Sequence, residues 1–246
     1  MHYCLNAVIM KSLVALLLLV GFGMPGFAQT SPHSSKKYDH YWSTLGVGVH
    51  FQSFDQLDKR VAAFPRYKDL RNQAGSLQIG WIKEKRRVVS VFNVLAASSM
   101  SGDRHRRSST ARSIGVGADI GYDVIKNERI MLYPMAGLGY DWDQARYYTD
   151  NSRVNFDEVL SQPSTANAIE PVVFSNGFFH YRAGVGLLFL SPKGDGIIGV
   201  QGGYAGSFEA RPWRSKAGQD LANAPEDRLK RFYVSVVFGM RPMRMH

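Results

Sequence analysis

The chain has 246 residues, 24 of them glycine, a net charge of +10 and one cysteine, Cys4. No run of about twenty apolar residues occurs, which excludes a membrane-spanning helix. A single cysteine ahead of the first apolar segment excludes a disulfide, a thiolate metal site and a cysteine nucleophile in the exported chain.

The first element is the apolar run Leu13 to Val20, preceded by Lys11 and followed by Gly21, Pro25, Gly26 and Ala28. A basic start, a short apolar core and a small residue read as a secretory signal over 1–28, cut between Ala28 and Gln29. Met1 and Met10 both stand as possible starts. Residues 29–40 read as a polar periplasmic lead. Export removes nucleic acid as a partner despite the positive charge.

From Tyr41 the period changes to two, the side-chain period of a strand. The first strand, Tyr41 to Phe54, places Leu45, Val47, Val49 and Phe51 outward, with Thr44, Gly46, Gly48 and His50 inward. A charged loop, 55–74, leads to the second strand, Gly75 to Ile82, with Leu77, Ile79 and Trp81 outward. A turn at Lys83 to Arg86 leads to the third, Arg87 to Ser98. Its outward face is Val88, Phe92 and Val94, because the other parity would set Asn93 in lipid. A basic loop, 99–112, precedes the clearest pair. Ile114, Val116, Ala118, Ile120, Tyr122 and Val124 alternate with Gly115, Gly117, Asp119, Gly121 and Asp123. After Lys126 to Arg129, Leu132, Ala136, Leu138, Tyr140 and Trp142 alternate with Tyr133, Gly137, Gly139 and Asp141. The longest loop, 143–176, contains Pro163 and Pro171. The sixth strand, Gly177 to Leu190, puts Tyr181, Ala183, Val185, Leu187 and Phe189 outward and His180 and Arg182 inward. The seventh is Gly196 to Phe208. The eighth is Arg231 to Met240, with Phe232, Val234, Val236 and Phe238 outward and Tyr233 inward.

The fourth and fifth runs are each about the length needed to cross a bilayer as a tilted strand. Short turns follow the second, fourth and sixth strands, and long loops follow the first, third, fifth and seventh. The expected fold is all-β, an eight-stranded antiparallel up-and-down transmembrane β-barrel over 41–240 with a short tail, 241–246. Both termini then lie on the short-turn side, in the periplasm. The lumen should be filled by side chains and lined by polar groups. Trp42, Trp81, Tyr122 and Phe189 are expected to form one aromatic girdle, and Tyr140, Trp142, Tyr204 and Phe232 the other. A soluble barrel would reverse the faces, burying apolar groups inside.

The signal, the loop rhythm and the run Tyr133-Pro134-Met135-Ala136-Gly137-Leu138-Gly139-Tyr140 resemble the small eight-stranded outer-membrane barrels, the class of the OmpA membrane domain and OmpX. That resemblance implies outer-membrane residence and delivery by the barrel assembly machinery. Such chains often end on an aromatic residue, whereas here eight residues follow Phe238. No peptidoglycan-binding domain follows the expected barrel.

Inside the lumen, Asp119, Asp123, Asp141, His180 and Arg182 are the expected polar network, a salt-bridge filling rather than an ion path. If the fifth and sixth strands pair with residue numbers summing to 321, Asp141 lies opposite His180 and Gly139 opposite Arg182, which reaches towards Asp119. Gly115→Ser is expected to cost much less than arginine at outward Val116 or Leu138. Ser113, His50, His180 and Asp141 near the outer rim contain the residue types of a hydrolytic set, but no motif assigns one. No metal spacing and no cofactor motif occur. Arg104, Arg106, Arg107 and Arg112 crowd one long loop, and Arg211, Arg214 and Lys216 another, beside Trp213. Guanidinium groups suit the phosphates of lipopolysaccharide. The leading function is therefore a structural or interaction barrel whose loops contact lipopolysaccharide or an envelope or extracellular partner. The alternatives are a lipid A hydrolase and a narrow porin-like channel.

Overall fold

The structure, a computed structural model, describes residues 40–103, 106–125, 127–192 and 194–241. The expected signal, the lead up to residue 39, Arg104 and the tail from 242 lie outside the described residues.

Eight strands form one closed sheet: β1 (His40–Gln52), β2 (Gln73–Lys85), β3 (Val88–Gly102), β4 (Ser108–Tyr122), β5 (Ile130–Tyr148), β6 (Val172–Leu190), β7 (Gly196–Ser207) and, last in the chain, β11 (Lys230–Met240). Every neighbour is antiparallel, β11 pairs with β1, and β5 pairs with β6, so no barrel edge is left open. Closure matters in lipid, where an unpaired strand edge has no water to satisfy it.

The outer wall is apolar. Leu45, Val47, Leu77, Ile79, Ile114, Ile120, Leu138, Val185, Ile198, Val200, Val234 and Val236 all stand exposed on it. Their neighbours along each strand point inward and are buried or half-buried. This is the reverse of a soluble barrel, whose exposed face is polar. The seven strands whose faces are read from the sequence match that parity, including the third, where Asn93 is buried and Phe92 faces out.

Four features differ from the sequence expectation. Trp42 is inward and fully buried, not part of a girdle; it stacks on His40 at 5.2 Å. Its even number places it on the face of His50, and that parity decides. The interior is also not polar throughout. At the short-turn end Trp42, Ile82, Val89, Val91, Met131, Tyr133, Leu188, Ile197 and Val237 fill the lumen as an apolar floor. The strands run apolar on both faces there, so alternation alone could not show it. The second strand continues through Lys85, and the turn to β3 is Arg86 and Arg87, with φ of 53° and 74°. Two left-handed residues make the tight hairpin whose twist matches its strands.

The strands also run past the membrane. β5 and β6 have 19 residues each, about twice a membrane crossing. Segment 99–112, expected as a loop, is strand on both sides of a short connection. Above the rim, α1 (Asp55–Ala62), β8 (Arg211–Pro212), β9 (Arg214–Ser215) and β10 (Glu226–Asp227) form a cap, while α2 (Phe156–Ser161) and α3 (Pro163–Ala168) lie in the β5–β6 loop. The cap has its own apolar core of Phe54, Leu57, Val61, Leu70, Tyr147, Phe178, Trp213 and Leu229. β8 pairs with β10, and β9 extends β6 through Ser175 and Arg214. The lumen therefore has three layers: apolar floor, polar belt, apolar cap.

Candidate functional site

The polar belt is built from inward positions at the middle and upper heights of the strands. Its largest member is Arg231, the second residue of β11, whose odd number places it on the face of Tyr233. Arg231 is 2% exposed. Its Nε donates to Gln52 Oε1 at 2.7 Å, and one Nη2 hydrogen bond each goes to Ser113 Oγ and Asp143 Oδ1, both at 3.2 Å. Nη1 donates to Asp141. Ser113 in turn donates to Asp143. Sequence reasoning named neither Arg231 nor Asp143 as a site residue. Both lay at the expected edges of strands, where parity carries least weight; strand continuation past Trp142 was the missing signal.

Arg182 forms the second centre. Its Nε lies 3.2 Å from Asp119 Oδ1, and its Nη1 donates to Asn93 Oδ1 at 2.8 Å. The guanidinium also lies 5.4 Å from the Tyr233 ring. The Asp119 contact is one of charge, since neither carboxylate oxygen meets hydrogen-bond geometry. Arg182 has room because Gly117 lies beneath it: a Cβ there would fall on Nη1. Gly186 does the same for the Tyr133 ring, whose hydroxyl receives a bond from Gln201 at 2.6 Å.

The β5–β6 register sums to 319, not 321: Gly139 faces His180, Gly137 faces Arg182, and Asp141 faces Phe178. A slip of two keeps every face and moves only the height. Asp141 and His180 still meet diagonally, at 3.7 Å. Asp123 belongs elsewhere. It accepts the amides of Ile125 and Leu132, both at 3.2 Å, and so holds the β4–β5 turn rather than joining the belt. A Cβ at 115 would fall on the Asp141 carboxylate that Arg231 holds, so Gly115→Ser obliges that side chain to shift.

A cavity of about 30 Å³ remains between Asn93, Asp141, His180, Arg182, Arg231 and Tyr233. That suits one or two waters, not a solute path. The Ser113 hydroxyl is engaged by Asp143 and Arg231, so it has a carboxylate partner and not a histidine. Among the described residues no group of three His, Cys, Asp or Glu side chains is placed to hold a metal.

Charge balance makes the Arg182 centre testable. Asp119→Ala leaves a buried guanidinium with Asn93 as its directed partner and should cost about 3 kcal/mol in urea unfolding from vesicles. Asp119→Leu with Arg182→Met should recover part of that loss. Equal stability of wild type and Asp119→Ala would remove the pair from the account.

The cap is tied down by one carboxylate. Asp227 accepts from Gln56 N at 2.9 Å, Leu57 N at 3.1 Å and Trp213 Nε1 at 2.8 Å, closing the N-terminus of α1 against the last long loop. Asp58, on the same helix, accepts from Leu70 N at 3.4 Å. Burial pushes its carboxyl up to about 6 from the usual 3.8; Asp69, Asp227 and Asp55 add repulsion, and the Leu70 amide opposes them. A raised carboxyl means proton uptake on folding. Its stabilisation is full below pH 3.8 and is lost as pH rises through 6. Amide protection factors at Gln56 and Leu57 should therefore fall between about pH 4 and 6.5, and Asp58→Asn should flatten that change. A pH-independent cap in the wild type would contradict this.

The cationic residues of the long loops are dispersed. Arg106 and Arg107 are exposed on the β3–β4 connection, and Arg107 is bonded to the Pro65 carbonyl. Arg214 pairs with Asp220 at 3.0 Å, and Lys216 lies 3.8 Å from Glu170. Arg211 is exposed on β8. Arg112 is not in a loop at all. It stands on the outer wall of β4, opposite Gln144, one outward step beyond the Ile114–Trp142 pair. The next outward step carries Arg146 opposite Thr110, and Arg146 Nε donates to Gln144 Oε1 at 2.6 Å. An exposed apolar wall, an aromatic residue at its upper edge and cations directly above describe a bilayer boundary.

The chain has the architecture of the small eight-stranded outer-membrane β-barrels.

No protein-family model and no curated protein matches the chain. Among solved structures, the barrel is similar to a major outer membrane protein of Thermus thermophilus, with 10% identity, 81% of this chain and 99% of that chain covered, and a TM-score of 0.48. Ail, the attachment invasion locus protein of Yersinia pestis, in complex with the heparin analogue sucrose octasulfate, matches with 10% identity, 82% and 99% coverage and a TM-score of 0.46. Neisserial surface protein A gives 9%, 82%, 97% and 0.43. At these identities and scores, the fold of the barrel stands on its own strand order and faces.

Proposed function

We propose that this protein is an interaction barrel of the outer membrane, with both termini in the periplasm and its long loops and cap outside. It has no catalytic role and no cofactor. The barrel is a filled support: an apolar floor and a charge-paired belt hold the strands that carry the cap. The observation that carries the proposal is the outer wall of β4 and β5, where Arg112 stands one outward step above the Ile114–Trp142 pair and Arg146 two. Lipopolysaccharide places its phosphates at that height, and guanidinium groups pair with phosphate in a forked geometry that lysine lacks. Arg106, Arg107, Arg211, Arg214 and Lys216 extend the positive rim, and Arg104 belongs to it by sequence. The barrel assembly machinery would insert the chain. The filled lumen speaks against a porin-like role, and the Ser113 environment against a hydrolase.

The test is retention of lipopolysaccharide by the folded barrel. Thermal unfolding in bilayers should shift upward with lipopolysaccharide and much less with its dephosphorylated form. Arg112→Gln with Arg146→Gln should remove most of the difference, and lipid A mass spectra should be the same with and without the protein. An equal shift for both lipids would overturn the phosphate contact; a changed lipid A would restore the enzyme.

A further inference from the structure

Outside the membrane the barrel encloses a second space that the polar belt does not use. A cavity of about 300 Å³ lies between α1, the segment after it, the upper ends of β5 and β6 and the 208–229 loop. Its buried wall includes Leu57, Val61 and Trp213, and exposed Phe64 and Leu221 also line it. An apolar cavity of about 150 Å³ is known to stay dry and to take one benzene. This one has twice that volume, so it fits a fused aromatic pair or a short acyl chain.

Two polar features and one aromatic wall belong to the same space. Arg60 and Arg66 line it. Arg60 spends one Nη2 bond on the Asn223 carbonyl, at 3.1 Å, and keeps other donors. The segment 53–72 carries five cations, Lys59, Arg60, Arg66, Lys68 and Arg71, against three carboxylates, Asp55, Asp58 and Asp69. Tyr147, also in the lining and 1% exposed, has a hydroxyl with no hydrogen-bond partner among the described residues. That hydroxyl is itself buried, so a ligand in the space meets the Tyr147 ring and not its oxygen.

Height decides the source of the ligand. Tyr147 lies five residues beyond Trp142 along β5, about 17 Å along the strand and about 12 Å in height at the tilt of a barrel strand. A lipid anchored in the bilayer cannot place its chain there.

We propose that this cavity binds a free amphipathic anion from the external medium. Its apolar body packs on Leu57, Val61 and Trp213, and its carboxylate, sulfonate or phosphate is held by Arg60 and Arg66. The inference is independent of the lipopolysaccharide contact, which uses other residues on the outer wall.

The probe is naphthalene-2-sulfonate, titrated into the ¹⁵N-labelled barrel in zwitterionic phospholipid nanodiscs. The readout is the Trp213 indole N–H resonance, assigned with Trp213→Phe. The expected result is a saturable shift. 2-Naphthyltrimethylammonium should bind about tenfold more weakly, as should the sulfonate to the Arg60→Gln, Arg66→Gln double variant. Leu221→Trp should weaken binding by filling the opening. Each variant is checked for its folded, heat-modifiable form on gels. No saturable shift, equal binding of the cation and the anion, or unchanged affinity in Leu221→Trp would overturn the proposal.

Discussion

Replacing Arg231 with Met should destabilise the folded barrel by about 3–5 kcal/mol, the cost of leaving a buried charge without its partner. The reason lies in what remains. Asp141 and Asp143 stand two positions apart on one face of β5, both buried, with Arg231 between them. Without the guanidinium, two carboxylates face one another in a lumen closed by an apolar floor below and an apolar cap above. Ser113 and Gln52 also lose a partner. The compensating experiment matters more than the loss. Adding Asp141→Asn and Asp143→Asn to Arg231→Met removes the stranded charges and should restore part of the stability, because most of the loss is the cost of burying those carboxylates without a counter-charge. Urea unfolding in vesicles, followed by tryptophan fluorescence, measures both. A single variant within about 1 kcal/mol of wild type would show that the belt is wetter or looser than its geometry.

Leu138→Arg should cost about 2–4 kcal/mol at mid-bilayer. Leu138 is 49% exposed on the outer wall, flanked across the sheet by Ala118 and Tyr181. Exposed apolar surface of this kind has no rationale in water and a direct one in lipid, where the charge would have to be dragged into hydrocarbon or escape towards the interface. Leu138→Ala should cost far less, since it stays apolar. Arginine and alanine variants of equal stability would place this wall outside the hydrocarbon.

Strand existence and face were legible because lipid on one side and a narrow lumen on the other enforce a period of two. That period survives wherever both conditions hold, as from Ile114 to Trp142. It fails in two places for different physical reasons. Near the short turns the lumen is apolar too, so Ile82, Val89, Leu188, Ile197 and Val237 give no contrast with their outward neighbours, and the floor went unseen. Above the bilayer the outside is water, so Gln144 and Arg146 face out while Ala145 and Tyr147 face in. The alternation continues with its sign reversed and reads as loop. That reversal hid the upper halves of β5 and β6, and with them Asp143 and the wall position of Arg146. The cap was not legible because its core joins residues as distant as Leu57, Tyr147 and Trp213, and its central tie, Asp227 to the start of α1, spans 170 residues. The β5–β6 register differs by two from the sequence expectation because both strands continue beyond Trp142 and Gly177.

The account turns on which face of each strand meets lipid, and three adjacent pairs of like residues ask that directly. Ile198 is 49% exposed and Ile197 5%; Val236 is 41% exposed and Val237 1%; Val88 is 40% exposed and Val89 fully buried. In a deuterated barrel with protonated Ile and Val methyl groups, nuclear Overhauser effects to lipid acyl chains should appear for Ile198 and Val236. They should be weaker for Val88 at the turn and absent for Ile197, Val237 and Val89. Contacts to acyl chains at Ile197 or Val237, or their absence at Ile198 and Val236, would contradict it.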